Sequence, residues 1–116
     1  MKVIKQINKT TCGQACLAMI LCTEIEDTIK LVGHDGVTSD EEMCKHLGLD
    51  PLQYFRDPEF GSNVRLQKHQ NVADSTTKNV NEGFEHWTVY YFGKTLDPAG
   101  FSDKKRWPLL KFWNIR

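Results

Sequence analysis

No apolar run in this chain approaches a membrane span, which takes about 20 consecutive, mostly apolar residues. The opening MKVIKQIN also lacks the long apolar stretch of a secretion signal. Both absences lead to the expectation of a protein with no membrane partner. Net charge is missing too: Lys+Arg 15 and Asp+Glu 15 cancel, so no bulk field draws the chain to nucleic acid. Internal repeats and Cys-x-x-Cys pairs are absent, which removes solenoid architectures and the usual ligand spacing of structural zinc. The cysteines are Cys12, Cys16, Cys22 and Cys44, and three of them crowd one predicted helix. That layout suits reduced thiols better than bridges between distant segments. A cytoplasmic setting is therefore expected, the host cytoplasm for a viral protein.

What is present fits one domain over residues 1–116, large enough to close a core without metal staples. Charge is unevenly placed. Between Glu24 and Glu59, ten acids face three cations, 3 − 10 = −7, whereas the stretch from Lys104 onward holds five cations and no acid. Solvated helix faces explain the acidic stretch more simply than a wall that attracts a basic substrate.

Helical signals fill residues 10–47. Thr10 or Thr11 can cap a helix bearing Ala15, Leu17, Met19, Ile20 and Leu21. A second helix is expected from Glu24 to Val32, stopped by Gly33. A turn at His34-Asp35-Gly36 follows, then a third helix capped by Thr38 and Ser39 with Glu41 and Glu42, ending at Gly48. Strand signals fill the second half: Val64 to Val72, Phe84 to Phe92 as the strongest, Thr95 to Asp97 after a turn at Gly93-Lys94, and Leu109 to Ile115. Residues 73–83 read as a polar loop and Ser102 to Trp107 as a helical turn. Alternation sets Trp87, Val89 and Tyr91 opposite His86, Thr88 and Tyr90, one set for the core and one for a cleft. Helices first and an antiparallel sheet afterwards is the α+β pattern.

The chemistry-bearing residues lie at the two ends. Cys12 sits where the first helix begins, and unpaired N–H groups with the positive end of the macrodipole favour thiolate there. Gly13 leaves room for a substrate backbone. Cys16, Cys22 and Cys44 are expected to be packed. A cysteine nucleophile needs a base, a group to orient it and donors for an oxyanion. His86 on the strongest strand, Asp97 just beyond it and Gln6 upstream of Cys12 supply those types. His34, in a Gly-His-Asp-Gly turn, suits solvent-facing hydrogen bonding, and His46 suits a helix end. His69 could lie near the cleft; with Cys12, Cys16 or His86 it could also ligate zinc, a use that the cysteine spacing disfavours.

Gln6, Cys12-Gly13-Gln14-Ala15-Cys16, His86-Trp87-Thr88-Val89-Tyr90 and Asp97-Pro98-Ala99, in that order, resemble the papain-like cysteine peptidases. Within them, the run is similar to the bacteriocin-processing peptidases that remove double-glycine leaders. The resemblance implies a papain-like α+β fold with N-terminal helices packed on a C-terminal antiparallel sheet, and no cofactor or metal. Carried over position by position, Cys12 is the nucleophile, His86 the general base, Asp97 its orienting carboxylate and Gln6 an oxyanion donor. The implied partner is a protein or peptide substrate. Acyl transfer or deamidation through the same thioester is an alternative, as is a non-catalytic module that holds a peptide in the cleft.

Overall fold

The helices follow from their ends. In the computed structural model, which describes residues 1–70, 85–100 and 108–115, α1 (Cys12–Leu21) has Thr11 at its cap position without a capping bond. The Thr11 hydroxyl turns back instead, accepting the N–H groups of Ile7 (3.0 Å) and Asn8 (3.2 Å) and closing the loop ahead of the helix. Cys12 through Met19 are all buried, so α1 is enclosed on every side. Cys22, expected in the core, is exposed: the helix has ended and the residue takes the left-handed C-cap conformation at φ 56. α2 (Ile25–Val32) stops at Gly33, φ 94, and the Thr28 hydroxyl donates to the Gln14 carbonyl (2.8 Å) to tie it to α1. α3 (Asp40–Leu47) starts at a closed capping box. Glu42 N–H donates to Ser39 Oγ, and Ser39 N–H donates to the Glu42 carboxylate, both at 3.1 Å. Thr38, expected to share that cap, is buried against α1 instead.

Four strands complete an α+β architecture: β1 (Val64–Gln70), β2 (Glu85–Tyr91), β3 (Lys94–Leu96) and β4 (Leu109–Ile115), antiparallel in the order β3-β2-β1-β4. The β2–β3 turn takes positive φ at both Phe92 (45) and Gly93 (87), the twist-matched geometry of a two-residue hairpin. β3 therefore starts at Lys94 and stops at Leu96, leaving Asp97 just past the strand. Positions 71, 72 and 84, the loop expected at 73–83 and the helical turn expected at 102–107 lie outside the described residues. Phe55 and Phe112 exchange N–H···O bonds at 2.8 Å each, a bridge beside β4 in a segment with no strand pattern of its own. Among the described residues, no helix is long and apolar enough to cross a membrane.

Leu66, Trp87, Val89, Leu96 and Trp113 of the sheet meet Cys16, Leu17 and Met19 of α1 and Met43 and Cys44 of α3. The Trp87 and Trp113 rings lie 5.7 Å apart, and each indole N–H finds a carbonyl, that of Thr38 (3.1 Å) and Asp50 (3.2 Å) respectively. The alternate set on β2 is enclosed too, since both His86 and Thr88 are buried. Asp40, at the first turn of α3, holds Lys68 of β1 and Lys111 of β4, which face each other across the β1–β4 register; Lys68 also meets Glu85. Part of the acidic stretch is thus an internal clip rather than a solvated face.

Candidate active site

His86, near the start of β2, is held from the hairpin that follows it. Its Nε2 lies 2.6 Å from Asp97 Oδ1. The same oxygen accepts the Ala99 N–H at 2.9 Å, so the turn after β3 fixes the carboxylate while the carboxylate fixes the ring. Because α1 packs on β2, the Cys12 thiol at the helix start is close enough to the His86 ring to help raise the imidazole. The His86 and Asp97 side chains are only 7% and 14% exposed. Three of the four residues singled out in the sequence are therefore contiguous, in the order thiol, imidazole, carboxylate.

Electrostatics separates the thiols. Burial alone would lower the His86 value, but the bond and charge of Asp97, then those of Cys12, outweigh it and push the imidazole up from 6.5 to about 9. Cys16, one turn deeper in α1, goes well up because it is buried, with the charges of Cys12 and Asp97 adding to the effect. Cys44 rises to about 11, from burial first and then from the acids around it. Both stay protonated and inert at neutral pH.

Gln6 reaches this assembly through its backbone. Its N–H donates to the Pro98 carbonyl (3.1 Å), joining the N-terminal segment to the turn that carries Asp97. Its side-chain Nε2 donates to the Asn8 carbonyl (2.8 Å), and its Oε1 is buried without a hydrogen-bond partner. Among the described residues no bond joins the amide to Cys12, and the bond to Asn8 uses one of its two Nε2 hydrogens. Gly13 also departs from expectation. A Cβ built there would stand 2.6 Å from Thr38 Cβ, so the space beside it belongs to the loop before α3 and not to a substrate. Gln14 clamps that loop, its Nε2 donating to the carbonyls of His34 and Gly36 at 2.9 Å each.

The other histidines have structural settings. His34 Nε2 lies 2.5 Å from the Glu42 carboxylate while its Nδ1 accepts the Gly36 N–H (3.1 Å). His46 lies in the last turn of α3. His69 is the register partner of His86 across β1 and β2, and its Nε2 lies 2.7 Å from Thr88 Oγ1, which is 3.2 Å from Gln67 Oε1. His69 was expected near the cleft and does lie across from His86, while its link through Thr88 to Gln67 is visible only from the strand register. Among the described residues, no group of three or more His, Cys, Asp or Glu is disposed to hold a metal ion. Comparison of the chain with protein-family models, with curated proteins and with solved structures finds no match.

Proposed function

We propose that the protein is a papain-like cysteine peptidase that hydrolyses a peptide or isopeptide bond through a thioester on Cys12. One observation carries this reading: a buried imidazole bonded to a carboxylate, next to a thiol at a helix start, its proton held to about 9 by both neighbours. The Cys12 proton passes to His86, which acts as the general base. The sulfur attacks the carbonyl carbon, and the carbonyl oxygen takes up the negative charge. The Cys12 backbone N–H stabilises it, and so does the second Gln6 Nε2 hydrogen, the first being spent on Asn8. The C–N bond breaks with its electron pair going to nitrogen, and His86 delivers its proton to the leaving amine. Water then gives a proton to His86, adds to the thioester carbon and expels the sulfur. Asp97 orients the ring and stabilises each imidazolium.

Iodoacetamide near pH 6 tests the pair, with the exposed Cys22 as an internal reference for an ordinary thiol. Mass spectrometry should find Cys12 alkylated ahead of Cys22 in the parent protein and behind it in His86→Ala. Cys12→Ala should retain the fold and lose all cleavage of a peptide library. Faster labelling of Cys22 in the parent protein would refute an activated sulfur at Cys12.

A further inference from the structure

A groove of about 360 Å³ opens at the turn that follows Asp97, lined by Lys5, Gln6, Ile7, Asn8 and Lys9 from the N-terminal segment and by Pro98 and Ala99. That volume suits one or two side chains of a ligand. Its two walls are joined by the Gln6 N–H to Pro98 carbonyl bond (3.1 Å). Ala99 in turn donates to the Asp97 oxygen that holds His86, so the groove wall is one hydrogen bond from the base's carboxylate.

Position and charge together define what fits. In the proposed reaction the amine departs with the proton of His86, and therefore on the side of the imidazole. A peptide continuing past that nitrogen runs over the turn carrying Asp97, Pro98 and Ala99. Residues 1–10 hold Lys2, Lys5 and Lys9 and no acid. Lys5 and Lys9 are exposed, and neither forms an ion pair among the described residues. Asp35 is tied to this segment through its carbonyl, which accepts from Asn8 Nδ2 and Thr10 Oγ1, and not through its carboxylate. Ile7, 60% exposed, offers apolar contact for the stem of a long side chain.

We propose that this groove receives the leaving half of a peptide substrate and selects acidic side chains just after the cut. The inference rests on the peptidase reading and adds the substrate class. Cut sites mapped by mass spectrometry in a proteome-derived peptide library should be enriched in Asp and Glu at the first two positions after the cut. The enrichment should be about fivefold to tenfold, as two solvent-exposed charge pairs allow, and should shrink as salt is raised. Lys5→Glu/Lys9→Glu should reverse the preference toward Lys and Arg. If that reversal impairs folding, judged by circular dichroism, Lys5→Gln/Lys9→Gln should flatten the preference instead. Cut sites without acidic enrichment, or enrichment that survives both variants, would overturn the groove assignment. The binding arm uses Cys12→Ala and fluorescence anisotropy with tagged Glu-rich and Lys-rich peptide libraries. Preferential binding of the acidic library that disappears on adding the lysine changes, while the parent protein cuts nothing, upholds the groove and sinks the peptidase. Equal binding of both libraries sinks the groove whatever the parent protein cleaves.

Discussion

At His86 burial and hydrogen bonding pull in opposite directions, and hydrogen bonding wins. Its folded value of about 9 lies above the ordinary 6.5, so its contribution to stability is complete below 6.5 and is lost as pH rises through 9. Urea midpoints should therefore fall between those values in the parent protein. Asp97→Asn, which removes the charge behind the ring, should flatten that fall and cost roughly 10²–10⁴-fold in turnover. A fall of equal depth in both proteins would assign it to another group. Gly13 poses a second contest. Alanine in a helix interior normally gains about 1 kcal/mol over glycine. Here its Cβ would meet Thr38 Cβ at 2.6 Å and Thr38 Oγ1 at 2.7 Å, and Thr38 is fully buried. Overpacking of this kind costs about 1–3 kcal/mol, so Gly13→Ala should leave stability lower, not higher, in a denaturant titration.

Among the elements, α3 depends most on a single side chain. Asp40 sits between Lys68 and Lys111, and the Lys68 side chain is only 8% exposed. Burial works against the Asp40 carboxylate, but the two ammonium groups hold it below the usual carboxylate range. Asp40→Asn would leave two neighbouring cations on adjacent strands, with Glu85 alone to serve Lys68. A loss of roughly 3 kcal/mol is expected by urea unfolding at neutral pH, and Asp40→Asn/Lys111→Met should recover part of it. The elements themselves were legible where their signals are local. Ser39 with Glu42, Gly33 and Gly48, and the alternating aromatic run of β2 each carry their own instruction. Thr11 misled because its hydroxyl has two possible sets of partners, and the loop before it won. Phe55 was invisible because its strand-like bonds are supplied by Phe112, far along the chain.

On the scale of the molecule, the segregation of helical and strand patterns made the α+β class readable, while the pairing order β3-β2-β1-β4 was not, since it depends on contacts between distant segments. The types Cys12, His86 and Asp97 could be picked out by the chemistry each supplies. Their meeting, and the diversion of the Gln6 amide to Asn8, required coordinates. So did the neighbourhood of His69 and Thr88, where one residue of register decides which side chains share a face. The Asp40 clip also has a consequence for the birth of the protein. Lys111 reaches Asp40 at the start of α3, and Thr38 in the loop just before α3 abuts Gly13, the residue after Cys12, so β4 braces the start of α1 from far along the chain. A growing polypeptide emerging from the ribosome therefore lacks this brace until β4 has been made and paired, so the helix start settles only after the last strand of the sheet is in place.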